Sequence, residues 1–423
     1  MAIALFVKKP GSTRGVWYSE FWGTRLQKYK LAAEAQFHQL EWREVQCFAP
    51  YYMFRPLDWT TWDEYQSDWP IADSLNPSDS KHEIFGLNVL GFQTHRDHFA
   101  IASKKSEMED RAKAMIDGTV SDAQFAERYS LKSNRDWKIP DARDAIRKNR
   151  DWRKNIVRCA YRPFDEPYCF FGHEFMDYPR RELLDHVAWR ENIQLLASRQ
   201  IGIAEWRHVL VTDRVAESCC VSDGSTEQNY CFPLYLYGRD GVNRRENMSS
   251  SFRSWLDHKY EEHFSAEEVM AYIYAVLYAP TYRTRYAEFL RIDFPRAPFP
   301  ESSADFQALS ELSWALMRAH LLTELPRQEL GVYHGKGDHV VEALRYSSQE
   351  QTIWINKTQS FKPVPQTVGG YQVLDKYLKS RKGRTLSLDE INRVAAIVDS
   401  LAFTIQQMAK IDKAYVDAFP GRG

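Results

Sequence analysis

Residues 159–200 read CAYRPFDEPYCFFGHEFMDYPRRELLDHVAWRENIQLLASRQ, and three local signals follow one another along them. The first is aromatic: Tyr161, Phe164, Tyr168, Phe170 and Phe171, interrupted by Pro163 and Pro167. Aromatic side chains favour a pleated, half-buried surface, and proline fits such a surface only at an edge strand or a turn. The second predicts a helix. Asp177 is placed to cap it, Pro179 suits its first turn, and Leu183, Leu184 and Val187 supply one apolar face. Asn192 stops the helix, and Ile193–Ala197 reads as a strand. Together these signals predict a mixed α+β fold.

Polar side chains gather where these elements end: Arg162, Arg180, Arg181, Arg199 and Gln200. Guanidinium and carboxamide groups are planar donors that can read guanine or adenine edges or clamp phosphates. The same arginines can equally be surface ion-pair partners for Asp165, Glu166 and Glu182.

The stretch also resembles a known family. YRPFD (Tyr161–Asp165), the aromatics after it, Pro179, Arg180, Glu182, His186, and a strand ending in Arg199 and Gln200 are similar to the C-terminal specificity region of type ISP restriction–modification enzymes and related adenine-specific DNA methyltransferases. Further pieces fit the same pattern: VTDR (Val211–Arg214), NYCFPLYLY (Asn229–Tyr237), NKTQ (Asn356–Gln359) and the run from Gly369 to Leu386. Phe92–Ile101 resembles the turn that opens the family's recognition region, with His95 where the family has glycine. AIALFVKKPG followed by Trp22–Arg25 resembles the last strands of a methyltransferase sheet, so the expectation is a chain that begins partway through that domain.

The resemblance implies an α+β fold: a mixed-sheet target recognition domain with helical insertions and a C-terminal helix. It implies three parts: 1–75, a hairpin and connector; 76–330, the DNA target recognition region; and 331–423, the rest of that region with a basic segment and a long terminal helix. It implies sequence-specific binding to double-stranded DNA in restriction–modification or phage defence. The partner implied is a methyltransferase domain or subunit, and S-adenosylmethionine is the cofactor of that parent or partner, an N6-adenine enzyme, with none in this chain. The DNA-contacting candidates are Thr94, Arg96, Arg162, Arg180, Arg199, Gln200, Arg214, Asn229, Lys357, Lys376, Lys379, Arg381, Lys382 and Arg384.

Composition sets limits. A chain of 423 residues that is 44% hydrophobic and 14% aromatic can bury two or three cores. Its 56 Lys and Arg offset 57 Asp and Glu, leaving a net charge of −1. Nucleic-acid-binding domains are usually strongly basic, so any such binding must come from a local patch. The densest basic run is Lys376–Arg384, and several of its charges ordered on a phosphate backbone would supply non-specific affinity. A solvated face is the plainer reading of such a run.

The six cysteines show no CxxC pair, and no histidine cluster has zinc-ligand spacing. Free thiols in a reducing cytoplasm are expected. No signal peptide or membrane-spanning stretch is read.

Other local signals complete the expectation. Ala2–Val7 and Val16–Phe21 predict a hairpin. Capping boxes are read at Ser106 with Glu109, Ser121 with Gln124, Ser265 with Glu268, and Ser387 with Glu390. A helix is expected from near Pro140. Pro70–Ser80 and Gly238–Ser251, the latter holding Arg239, Arg244 and Arg245, read as loops. Tyr272, Tyr274, Tyr278, Tyr282 and Tyr286 form a stripe that at helical spacing predicts core, with base stacking the alternative. Ile391, Val394, Ile397, Val398, Leu401, Ile405, Met408 and Ile411 define the buried face of a terminal helix.

Catalytic motifs are missing. The chain has neither the glycine-rich S-adenosylmethionine loop nor the N/D-P-P-Y/F motif of an adenine methyltransferase, no P-loop, and no convincing nuclease constellation. A binding module is the first reading. Part of, or a partner to, an active methyltransferase or restriction enzyme is the second, and a protein-interaction module the third.

Overall fold

The computed structural model describes residues 4–11, 14–74, 82–202, 205–222, 227–238, 241–369 and 372–422. The chain divides into two compact units, Met1–Trp62 and Asp63–Gly423. Arg239 and most of the expected 70–80 loop lie outside the described residues.

In the first unit, Val16–Tyr18 pairs antiparallel with Arg43–Val45. Residues 4–7 form no strand, so the expected hairpin with Ala2–Val7 is corrected. The strand's partner arrives from beyond the helix Arg25–Glu34, which Thr24 and Gln27 cap reciprocally. That helix buries no residue, and Leu5, Phe6, Trp22, Leu26 and Phe37 are exposed.

The second unit is built on two four-stranded sheets. In the first, the hairpin of Ile156–Ala160 and Tyr168–Phe170 lies between Ile101–Ala102 and Val215–Ala216. Only the last of these pairs in parallel. The second sheet is antiparallel, in the order Val89–Leu90, Asn229–Pro233, Gln194–Ser198, Val209–Thr212. Its two central strands are almost wholly buried, which is why they read as apolar runs without alternation. The two sheets meet where Phe92 donates to Ala216 and accepts from Ser218, at 2.9 and 3.0 Å. Gly91 makes this approach possible: a Cβ there would lie 2.7 Å from the Ser218 backbone.

Helices Lys105–Ile116, Asp122–Arg128 and Ile139–Lys148 pack over the first sheet through Met108, Ala112, Met115, Phe125, Ala142 and Ile146. The box at Ser121 and Gln124 is present. Ser106 caps nothing, because the helix already starts at Lys105.

Behind the second sheet, the helix Ala266–Tyr278, buried at every position except Glu267 and Glu268, packs on Ser303–His320 and on Leu388–Ala418. The tyrosine stripe is core. All five rings are buried, and Tyr278, for example, donates to Val209 O of the sheet at 3.1 Å. Among the described residues Leu388–Ala418 is the one helix long and apolar enough to cross a membrane by length and composition alone. It buries Asp399, Thr404 and Gln407 against other parts of the fold, as a core helix does. Thr404 shares buried His320 with Tyr274, at 2.8 and 2.6 Å.

A third antiparallel sheet, ordered Val332–His334, Ser360–Lys362, Thr352–Trp354, Arg345–Ser347, packs with helix Gln372–Lys379 and the start of the terminal helix. The strand Ser360–Lys362 joins Val332–His334 to Thr352–Trp354. Into this core reaches Phe164, from the YRPFD turn of the first sheet's hairpin, with φ +62°.

Candidate nucleic-acid interface

YRPFD is a joint between sheets. The turn closes on itself, with Tyr161 N donating to Asp165 O at 3.0 Å. Each side chain then leaves for a different neighbour. Tyr161 donates to Asp97 at 2.7 Å, and Arg162 pairs with Glu217 at 2.8 Å while lying over the Tyr161 ring. Asp165 takes Arg381 at 2.8 Å. Beside the turn, Glu166 accepts from Arg393 at 3.2 Å and lies 3.7 Å from Arg214.

Arg381 is therefore not a surface cation. Its guanidinium is buried against Asp165, donates to Glu390 at 3.0 Å and to Tyr377 O at 2.8 Å, and stacks on the Tyr377 ring at 3.6 Å. Burial works against its charge, but the paired carboxylates outweigh it and raise its pKa further. The neighbouring basic residues do face solvent. Lys382 is exposed, Lys379 is exposed with Asp375 at 2.6 Å, and Arg384 is exposed with Glu390 at 3.2 Å. Lys376 is half-buried and donates to Ser222 O at 3.1 Å. Lys357 is exposed on a separate turn.

A second cluster centres on Asp177. The sequence suggested a helix cap; the structure makes it a buried hub. It accepts from Arg96 at 2.6 Å, from Asn134 at 2.8 Å, and from His95 Nδ1. Burial would raise the Asp177 pKa, yet these donors hold it below the ordinary carboxylate value. Arg96 also donates to Thr94 O at 2.6 Å and lies 3.8 Å over the Trp137 ring. Thr94 bonds Asp97 and is buried too. With its cap taken, the helix starts later, at Arg181, and Arg180 before it adopts φ +57°.

The remaining candidates vary. Arg199 is half-buried and donates to Asp293 at 3.0 Å. Gln200 is exposed and donates to Ile292 O at 3.2 Å. Arg214 is half-exposed, with Asp213 at 3.0 Å. Asn229 is wholly buried in its strand, where its carbonyl oxygen accepts from Val221 N. For Thr94, Arg96, Asn229 and Arg381, then, the outward orientation read from the sequence is corrected: each is turned inward and hydrogen-bonds within the fold. The structure gathers Lys379, Lys382 and Arg384 at one helix end, and brings Arg96 to Arg180 through Asp177 and Tyr178.

Sequence reasoning missed the hub role of Asp177 and the cleft lined by Arg158, Trp189, Arg190, Asp213 and Arg214, of about 440 Å³. No local pattern announces either, since both are assembled from distant segments. Among the described residues no group of three or more His, Cys, Asp or Glu could hold a metal ion.

Comparison with solved structures finds the same fold in larger proteins. The DrdV–DNA complex matches with TM-score 0.68 and 19% identity over 91% of this chain and 42% of that one. A nuclease-deletion mutant of the Type ISP restriction–modification enzyme LlaGI, in complex with a DNA substrate mimic, matches with TM-score 0.68 and 19% identity over 96% and 39%. The ATP-dependent Type ISP enzyme LlaBIII, bound to DNA, matches with TM-score 0.65 and 14% identity over 88% and 25%. The chain thus spans less than half the length of each. No curated protein matches it. The model of the Type ISP C-terminal specificity domain matches residues 83–410, most of the chain. This chain belongs to the Type ISP C-terminal specificity domain family.

Proposed function

We propose that this chain recognises a specific sequence in double-stranded DNA, as the target recognition part of a restriction–modification or phage-defence adenine methyltransferase acting in the cytoplasm. The observation that carries the reading is the specificity-domain match over 83–410. The fold it shares with enzymes solved on DNA agrees with it.

The exposed cations Lys357, Lys379, Lys382 and Arg384 supply phosphate contacts that set register, and the half-buried Lys376 borders them. Base edges fall to donors at element ends: Arg162, Arg180, Arg199, Gln200 and Arg214. Phosphate contacts carry affinity, and base-edge contacts carry sequence. S-adenosylmethionine belongs to a methyltransferase domain or subunit, because this sequence has neither the loop nor the base-holding motif that such chemistry uses.

A gel shift of duplex DNA, titrated with salt, tests the reading. Four phosphate contacts give a salt slope of about −3.6, or roughly a hundredfold loss of affinity between 50 and 200 mM salt. Absence of duplex binding at low salt would remove the proposal. Methyl transfer from labelled S-adenosylmethionine by this chain alone would replace it with an enzyme.

A further inference from the structure

The recognition reading leaves one residue unexplained. His95 sits at φ +51°, in the left-handed region that side chains rarely adopt. Such conformations persist where the surroundings over-determine them, and they cluster at functional sites. Here two constraints act. The backbones of Gln93 and Tyr178 bond each other in both directions, at 2.9 and 3.1 Å. His95 Nδ1 bonds Asp177, which Arg96 and Asn134 fix from the other side.

The result is an imidazole held at one nitrogen by a wholly buried carboxylate, while the ring itself is 51% exposed. Its Nε2 has no hydrogen-bond partner among the described residues. Tyr178 stands edge-on to it, with centroids 6.1 Å apart. The same ring also carries Arg180, whose guanidinium lies 4.8 Å from the Tyr178 centroid. Arg180 is itself left-handed, and its buried Nε has no hydrogen-bond partner in the structure. Two residues in a costly backbone conformation therefore pack against one ring. One presents a fixed imidazole edge and the other a guanidinium whose donors are not all used.

We infer that His95 is a DNA-contacting residue, which acts with Arg180 on an acceptor-bearing group of the duplex, either the N7/O6 edge of guanine or a phosphate. Asp177 is the positioning residue that fixes the ring. The inference rests on the proposed DNA recognition and adds to it a residue outside the contact candidates named from the sequence.

The test uses the full chain with His95→Gly and Arg180→Ala. Glycine is at ease at φ +51°, so H95G removes the imidazole without straining the turn, and a circular dichroism melt checks that it folds. Wild-type protein is measured in parallel against a panel of duplexes differing at single base pairs. A guanine contact predicts that H95G loses about ten- to hundredfold affinity at one base pair, with the others spared. A phosphate contact predicts equal loss on every duplex and a salt slope shallower by about 0.9. Either result supports the inference. If wild-type protein binds and folded H95G and R180A bind every duplex as wild type does, the inference is overturned while the recognition reading stands. If wild-type protein binds no duplex, both fall, and the wild-type control shows that the recognition reading failed first.

Discussion

Replacing Arg381 by alanine separates a structural cation from a DNA-binding one. The Arg381 and Asp165 side chains are only 8% and 9% exposed. Truncation removes the bonds to Asp165, Glu390 and Tyr377 O, and strips the guanidinium from the Tyr377 ring. It leaves the Asp165 carboxylate charged and buried. Losing one partner of a buried pair costs about 3–5 kcal/mol, and the stacking loss overlaps with that figure, so about 4 kcal/mol is expected. Against a domain stability of about 5–15 kcal/mol, this is a large fraction. With a urea dependence near 3 kcal/mol/M, the R381A midpoint should fall by about 1 M. Adding Asp165→Asn should recover part of the loss, because the stranded charge is then gone, and the double-mutant cycle should show a coupling of about 1–3 kcal/mol. An R381A midpoint equal to wild type, with DNA affinity alone reduced, would refute the reasoning and restore Arg381 to the phosphate contacts.

Other outcomes follow from the same geometry. Burial lowers the His320 pKa to about 3, so between pH 6.5 and 3 the unfolded chain binds a proton that the folded one refuses. Stability is therefore full above pH 6.5 and falls on acidification, by about 2 kcal/mol at pH 5; His320→Gln should flatten that part of the urea-midpoint profile. Lys382→Glu, at an exposed position, should weaken binding to all duplexes alike and leave the urea midpoint unchanged; loss of preference at one base pair would contradict its phosphate role. Phe164→Ala opens a hole in the C-terminal core from a residue of the central hairpin, and should cost about 3–5 kcal/mol by urea unfolding. A cost below 1 kcal/mol would mean that the joint does not depend on this ring.

Signals confined to one turn of chain were legible. The capping boxes at Ser121, Ser265 and Ser387 depend on residues three apart, and they form. The core role of the tyrosine stripe and most of the expected face of the terminal helix follow from helical periodicity, with Ile405 and Met408 only half-buried. The strand Gln194–Ser198 was announced by its own apolar run. Ser106 and Asp177 misled for a related reason. Each has the right chemistry for a cap, but one was overtaken by an earlier helix start and the other by Arg96, His95 and Asn134.

The fate of each cation was a tertiary matter. Arg381 and Lys382 are neighbours in one basic run with the same formal charge. One meets Asp165, which lies 216 positions earlier, and the other meets solvent. Nothing local distinguishes them, because an ion pair across the fold is chosen by which carboxylate the packing brings within reach. The sequence by itself determined the helices capped at Ser121, Ser265 and Ser387, the apolar stripe of the terminal helix, and the family resemblance. The folded chain alone decided which charges are consumed in holding it together and which remain for a ligand, since that depends on burial and distance, and neither is a property of a residue's neighbours in the chain.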